Sequence, residues 1–412
     1  MLLLLPQELV EHVALYLDIA SLCRLRLTHG DLNAKIFRSW AEQFHTIKTD
    51  LTPQSVRKLL AIGRHERLRD HVKGLFLQAD WCGEFGRGLD WYVDQHSPSQ
   101  ECRTSDQFKA LQDSLRHRLQ KCRSFHIGGD PHNAEDADLP TSSEVALLFL
   151  KTVAETGIEI QSFTVDFIGE HPSSTSHGGG WLYGSLHKDY NAVCSLPSFS
   201  HSWCHLQELH LHLDIRFTDF DWTSNMLLEA PKIRRLSLKF QEGELTLVSK
   251  ILGLVAPQLE VLNLGFVHMT PQMLFHFLRN SHMSLRRLRM RSMFLEYSLN
   301  DEEGELADWL YFFRTLRTKF HNLNAFELLN GYFALRTPES YQRVAFPSLL
   351  DNDEVGAYER PSERFTLRRR KAWKRTNGEN MVKVPTVRGT SYEGSYMTDA
   401  LKRLEETAEY SP

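Results

Sequence analysis

Three arginines, Arg287, Arg289 and Arg291, alternate along one short stretch of the chain. A guanidinium group binds carboxylates and phosphates through paired hydrogen bonds, so this row suits an acidic or phosphorylated protein segment. The alternative is a solvated surface on which the arginine stems lie over apolar neighbours. With His210, His212 and Lys239, these arginines form the set that we predict to contact a bound protein.

A second group of residues has the types that bind zinc. It comprises His201, Cys204, His205, His210 and His212. Imidazole and thiolate are zinc ligands, but no second cluster completes a tetrahedral set, and His210 and His212 alternate with leucines as exposed strand residues do. We therefore predict no metal site and no cofactor.

The common catalytic motifs are missing from the sequence, which contains no G-x-S-x-G, H-E-x-x-H, P-loop or G-x-G-x-x-G pattern. We therefore predict a protein that is not an enzyme. The formal net charge of −4 argues against a dedicated nucleic-acid binder. The basic run Arg364 to Arg375 is compatible with a nuclear import signal, a nucleic-acid patch or a solvated loop.

These side chains are positioned by a repeated phrase, apolar-x-x-apolar-x-apolar, with a period of 26 or 27 residues, which is the period of leucine-rich repeats. The four copies are Leu206, Leu209, Leu211; Ile233, Leu236, Leu238; Leu259, Leu262, Leu264; and Leu285, Leu288, Met290. Each phrase predicts a short strand that turns alternate side chains into a shared core. The opposite face would then carry the arginines and histidines.

Looser copies of the phrase extend the array in both directions. They are Val72, Leu75, Leu77; Cys122, Phe125, Ile127; Ile160, Phe163, Val165; and Leu323, Phe326, Leu328. The intervals between them predict insertions, with helices at 108–119 and 143–156. The Gly-, Ser- and His-rich stretches 84–107 and 169–202 are predicted to be long surface loops.

The chain shows no apolar run long enough to span a bilayer, and Met1 to Leu5 lacks the features of a secretion leader. Its six cysteines are scattered without a C-x-x-C pair, which suits a reducing compartment. We therefore expect no membrane partner and a cytoplasmic or nuclear location, or both.

The first forty residues predict three short helices. Leu9, Val10, Val13 and Leu17 form one apolar stripe after Pro6. Asp18 is placed to cap the second helix, and the third begins near Asp31. Three short helices this rich in leucine are a poor free-standing domain.

The residue order Leu5-Pro6-x-Glu8-Leu9-Val10, then Leu17-Asp18, Ser21-Leu22 and Leu25-Arg26, resembles the F-box. The resemblance implies docking on a Skp-type adaptor, which links the chain to a cullin and a ubiquitin-conjugating enzyme. It assigns the apolar interface to Leu5, Pro6, Leu9, Val10, Val13, Leu22 and Leu25, with Glu8 and Arg26 at the rim. The alternative is a helical cap on the repeat array, which predicts that Leu5, Pro6 and Leu9 are buried.

Residues 1–77 and the C-terminal pattern around Phe346 and Leu404 also resemble the large F-box family of filamentous fungi. The expected fold class is α/β, a three-helix F-box followed by an irregular leucine-rich-repeat solenoid and a C-terminal capping segment. We predict an F-box over 1–46, a helical linker over 47–70, the array over 71–335, and a loop with a capping helix over 336–412.

The resemblance implies a substrate-recognition subunit of a Skp–cullin–F-box ubiquitin ligase, which holds an unidentified client protein on the repeat face. In this interpretation other subunits perform the catalysis. The alternative is a repeat-based scaffold that binds a partner without directing ubiquitin transfer.

Overall fold

The structure is a computed structural model, which describes residues 2–79, 85–93, 103–129, 139–167, 187–214, 221–241, 258–296, 309–334, 341–345, 364–375, 381–393, 397–407 and 409–411. It is a mixed α/β structure. The described residues up to Phe167, together with Lys188 to Ser202, form one compact unit, and His187 with those from Trp203 onward forms a second. Both units therefore contain parts of the predicted array.

The first unit is built from helices α1 to α9 and strands β1 to β6. The helices are α1 (Gln7–Ala14), α2 (Ile19–Thr28), α3 (Gly30–Glu42), α4 (Pro53–Arg64), α5 (Glu66–Arg69), α6 (Asp106–His117), α7 (Ser142–Thr156), α8 (His187–Cys194) and α9 (Pro197–Trp203). The first residue of α8 and the last residue of α9 belong to the second unit. The strands are β1 (Thr46–Thr49), β2 (Gly74–Gln78), β3 (Tyr92–Val93), β4 (Arg103–Thr104), β5 (Ser124–Gly129) and β6 (Ser162–Phe167). Strands β1, β2, β5 and β6 pair in that order, all parallel, and β3 pairs antiparallel with β4.

The second unit contains helices α10 to α13 and strands β7 to β15. The helices are α10 (Asp221–Leu228), α11 (Pro271–Arg279), α12 (Trp309–Lys319) and α13 (Met397–Thr407). The strands are β7 (Glu208–Asp214), β8 (Arg235–Gln241), β9 (Val261–Met269), β10 (Arg287–Glu296), β11 (Ala325–Ala334), β12 (Tyr341–Ala345), β13 (Arg364–Arg375), β14 (Met381–Glu393) and β15 (Glu409–Ser411). Strands β7 to β11 pair in sequence and in parallel. Antiparallel pairs then join β11 to β12 and β14, β12 to β15, and β13 to β14.

The strands predicted from the repeated phrase are all observed, and their register follows the phrase. Leu209, Leu236, Leu262, Leu288 and Phe326 lie side by side on β7 to β11. All five are at most 1% exposed, because alternate side chains of each strand enter the core. The prediction of a buried leucine face and an opposite polar face is therefore confirmed for these strands.

The loop predictions were wrong in two places. The segment 47–70, predicted as a helical linker, contains helices α4 and α5 after the end of β1, whose backbone pairs with β2. Residues 187–202 are largely helical, because Tyr190 and Phe199 are fully buried and anchor α8 and α9. The basic run Arg364 to Arg375 is strand β13, whose backbone groups pair with β14. The predicted helices at 108–119, 143–156 and the C-terminus correspond to α6, α7 and α13.

Helix α7 ends at Gly157, which has a φ of 69° and lies in the left-handed region. A Cβ at this position would contact nothing within 4 Å, so alanine would meet only the conformational cost. We expect Gly157→Ala to lower the free energy of unfolding by about 1 kcal/mol, measured by urea denaturation. Gly157→Asn is the control and should lose less, because asparagine tolerates this conformation better. An alanine variant as stable as the wild type would contradict this account of the helix end.

In the described part of the chain, no helix is long and apolar enough to cross a membrane.

Candidate protein-binding surfaces

Helices α1, α2 and α3 pack around a small core of their own. Its buried members are Val10, Ala14, Leu22, Leu32, Ile36, Phe37, Trp40, Ala41 and Leu68, the last from α5. Asp18 caps α2 as predicted, since its carboxylate accepts a hydrogen bond from the Ser21 amide at 2.7 Å. Hydrogen bonds from this amide and from the Ser21 side chain lower the pKa of Asp18. The Lys35 ammonium donates to the carbonyls of Leu3 and Leu5, which ties the N-terminal segment to α3.

The apolar residues and Glu8 that were predicted to bind the adaptor fall into three groups by burial. Val10 and Leu22 are 1% and 0% exposed, so their assignment to an accessible interface is corrected: they hold the helices together. Leu5 and Leu25 are half-buried against the same core. The exposed group is Pro6, Glu8, Leu9 and Val13.

Arg26, predicted at the rim of the interface, has a structural role. Its guanidinium carbon lies 3.3 Å from the Trp40 ring centroid, and its Nε donates to the Asn33 Oδ1 at 2.7 Å. Burial lowers the pKa of Arg26, although an arginine remains charged at neutral pH. The side chain therefore joins α2 to α3 through a cation–π contact and a hydrogen bond.

Large apolar side chains are exposed on this three-helix unit to an unusual degree. Of the fourteen exposed large hydrophobic residues in the described part of the chain, eight lie between residues 3 and 27. We call these eight the N-terminal apolar surface: Leu3, Leu4, Leu9, Val13, Leu15, Tyr16, Ile19 and Leu27. Exposed leucines are ordinary when scattered, whereas a concentration of them marks a surface that binds another molecule.

The sequence prediction included only Leu9 and Val13 of this surface. It omitted Ile19 and Leu27, which are 48% and 88% exposed. A signal was available, because Ile19, Cys23 and Leu27 recur every four residues and form a stripe on α2 that excludes the buried Leu22. Pro6 and Leu9 are exposed, so the burial expected of a helical cap is not found at these two residues.

The second candidate surface is the polar face of strands β7 to β11. Across these strands, His210, Ser237, Asn263, Arg289 and Glu327 form one row of neighbours. The next row along the strands consists of His212, Lys239, Gly265, Arg291 and Leu329. His210 and Lys239 are partly exposed, whereas His212 is only 6% exposed and is corrected from a contact residue to a buried one.

The arginine row, for which the sequence offered no partner, is paired with carboxylates. Arg287 donates to Glu393 at 2.8 Å, from the antiparallel strand β14. Glu327 on β11 lies between the other two, 3.4 Å from Arg289 and 3.2 Å from Arg291. The expectation of three arginines all available to a partner was therefore wrong, because two carboxylates from other strands already pair with them.

Glu327 is the centre of this cluster, with a side chain only 12% exposed. Glu327→Ala should lower the free energy of unfolding by about 1–2 kcal/mol, because two neighbouring guanidinium groups would lose their shared carboxylate. Added salt should recover part of this loss, as it screens the remaining repulsion. Urea denaturation at low and high NaCl measures both effects, with Glu327→Gln as the control that keeps the shape and an acceptor. If Glu327→Ala lost the same stability at both salt concentrations, and Glu327→Gln lost none, an electrostatic role for Glu327 would be contradicted.

A cleft of about 1120 Å³ opens between α11 and α12 on the helical side of the second unit. Its basic and histidine residues are His276, Arg279, His282, Lys319 and His321, and Phe275, Tyr311 and Phe320 contribute aromatic rings. No carboxylate is among its lining residues, so this cleft offers no acid–base carboxylate pair. Among the described residues, no three His, Cys, Asp or Glu side chains are grouped so as to hold a metal ion.

Comparison with known proteins adds no family assignment, since no protein-family model matches the chain and no curated protein matches it.

Proposed function

We propose that this protein is a substrate-recognition subunit of a Skp–cullin–F-box ubiquitin ligase, with an F-box at its N-terminus and an irregular leucine-rich-repeat solenoid after it. The observation that carries the proposal is the N-terminal apolar surface, which combines with the Leu-Pro-x-Glu-Leu order of residues 5–9. An adaptor that covered this surface would remove several large side chains from water, each contributing up to about 1.5–3 kcal/mol if fully buried.

The division of side chains between core and surface supports this assignment. Val10 and Leu22 keep α1, α2 and α3 together, while Leu9, Val13, Ile19 and Leu27 remain outside the core. A helical unit that served only as a cap would turn these apolar side chains toward the structure that it covered. A rigid scaffold with an external apolar surface suits a partner that docks without remodelling it.

The parallel strands suit the second task of such a subunit, which is to bind the client protein. Their polar face presents alternating side chains in regular rows, which is a suitable surface for a client protein. The ligase mechanism would be proximity, because a client held beside a conjugating enzyme presents its lysines at a high effective concentration. In this scheme no residue of the chain takes part in bond making or breaking.

The test is a pull-down from cell extract with the full chain, probing for the Skp-type adaptor and for cullin. The wild type should recover both. A variant with Leu9→Ala, Val13→Ala and Leu27→Ala should lose both, because three exposed contacts are removed while the core is kept. The matched control, Leu228→Ala with Met283→Ala, truncates exposed apolar residues outside the surface and should recover both.

Each outcome of the pull-down has a defined meaning. Failure of the wild type to recover the adaptor would overturn the F-box assignment. Recovery of the adaptor without cullin would overturn the ligase assignment and favour the scaffold function.

A further inference from the structure

The polar face of strands β7 to β11 carries more basic than acidic side chains among the residues that the structure describes. The pairs Arg235–Glu208 and Arg287–Glu393, each at 2.8 Å, are neutral. Arg289 and Arg291, in contrast, share the single carboxylate of Glu327. Lys239, in the row that contains Arg291, adds a further basic side chain, so the described side chains around Glu327 are predominantly basic.

Two polar atoms beside this cluster lack hydrogen-bond partners. Within the described part of the chain, the Nε of Arg291 and the Oδ1 of Asn263 are buried and unpaired. Asn263 is the direct neighbour of Arg289 on the adjacent strand. Buried polar groups are normally paired, so two unpaired atoms on neighbouring strands mark a part of the face whose hydrogen bonding is incomplete.

An apolar surface adjoins the charged cluster, at a kink shared by β9 and β10. Phe266 and Ser292 occupy equivalent positions and have φ values of 56° and 51°. A left-handed conformation is uncommon for a bulky residue such as phenylalanine, and residues held in this way are concentrated at functional sites. Phe266 is 40% exposed, and beyond the kink the His268 and Phe294 rings stack with centroids 4.2 Å apart.

From these observations we infer that the face binds an unphosphorylated acidic segment of the client. One carboxylate of the segment is held by Arg289 and Arg291, and an adjacent aromatic or aliphatic side chain packs on Phe266 and Phe294. A phosphate group carries nearly two negative charges, so the Glu327 carboxylate beside these arginines would repel it more strongly than it repels a carboxylate. This inference names the client class and rests on the function proposed above.

The test begins with a random linear peptide library displayed on phage and selected against the full chain. The wild type should enrich peptides in which Asp or Glu lies next to an aromatic or aliphatic residue. The double variant Arg289→Ala with Arg291→Ala should reduce this enrichment about tenfold, because the carboxylate loses its charge-assisted hydrogen bonds. The double variant Arg279→Ala with Lys319→Ala, which removes two positive charges from the cleft between α11 and α12, should keep the enrichment.

The second step distinguishes carboxylate from phosphate. The peptide most enriched by the wild type is synthesised with Glu, Gln or phosphoserine at its acidic position. The wild type should bind the Glu form most tightly. Glu327→Gln removes the carboxylate that repels a phosphate group, so this variant should shift preference toward the phosphoserine form. Phe266→Gly should weaken binding of all three peptides without lowering the thermal midpoint of the protein, since glycine relieves the left-handed conformation.

Several results would overturn the inference. They are a wild-type selection without acidic enrichment, enrichment that survives loss of Arg289 and Arg291, enrichment lost instead with Arg279 and Lys319, or a wild-type preference for the phosphoserine form. Each protein is first compared with the wild type by circular dichroism and urea denaturation. If the Arg289 and Arg291 double variant does not fold, the inference is tested by Glu327→Gln alone, which should shift the binding preference from the Glu peptide toward the phosphoserine peptide.

The two proposals fail separately. Recovery of adaptor and cullin without enrichment of acidic peptides would contradict the proposed client class but not the ligase function. Enrichment of acidic peptides without adaptor binding would contradict the ligase function but not the peptide site.

Discussion

Replacing Leu9 and Leu27 with aspartate should weaken binding of the Skp-type adaptor by about 100-fold or more. Both side chains belong to the N-terminal apolar surface and are 51% and 88% exposed. Truncation of a hot-spot residue at an interface costs about 2 kcal/mol or more, and aspartate adds a charge that the complex would have to desolvate. Two such losses correspond to at least two decades in the dissociation constant.

The same double variant should unfold at the urea concentration of the wild type, because neither side chain contributes to the core. Isothermal titration calorimetry with purified adaptor gives the affinity. The matched control is Leu228→Asp, which places the same charge at a position that is 55% exposed in the second unit. Equal affinities for the wild type and the double variant would exclude the N-terminal apolar surface as the docking site.

Leu22→Ala should have the opposite pattern, a large loss of stability that originates inside the three-helix core. Leu22 is 0% exposed and belongs to the cluster formed with Val10, Ile36 and Trp40. Truncation of a fully buried leucine removes its transfer free energy and leaves a cavity, so the free energy of unfolding should fall by about 3 kcal/mol. Leu27→Ala, on the same helix but outside the core, should change it by less than about 0.5 kcal/mol.

Urea denaturation monitored by tryptophan fluorescence measures both variants, since Trp40 lies in the affected core. The expected difference between Leu22→Ala and Leu27→Ala is what distinguishes a core leucine from a surface leucine five residues away. Similar losses for the two variants would contradict the packing described for α2.

The strands were predictable from sequence because their determinant is local and periodic. Leu236, Leu262 and Leu288 recur at an interval of 26 residues, and each lies in the core beside its equivalents. A period of this kind determines which side chains share a face, whatever the insertions between the strands. The polar face was therefore predicted together with the leucine face.

The partners of the arginine row were not predictable in this way. Glu327 lies on β11, whose copy of the repeated phrase follows the copy on β10 at an irregular interval. Its position beside Arg289 therefore depends on the register between these two strands, which the phrase alone does not determine. Glu393 returns on an antiparallel strand after the period has ended. Charge pairing across such distances is set by tertiary structure, and a row of arginines in the sequence gave no sign of it.

The N-terminal helices show a similar limit. An apolar stripe predicts a helix and one buried side, but α1 and α2 each carry apolar residues on two sides. The choice between Leu22 and Leu27 depends on where α3 packs, which is settled by contacts with Ile36, Phe37 and Trp40. The resemblance to the F-box named a set of interface residues, and the structure separates those that pack inside from those that remain accessible.

The most direct measurement is amide hydrogen exchange of the full chain with and without purified Skp-type adaptor. We expect new protection in residues 3–28, which include α1 and α2, and unchanged exchange in strands β7 to β11, which remain available to the client. No protection at a saturating adaptor concentration, or protection confined to β7 to β11, would contradict this expectation.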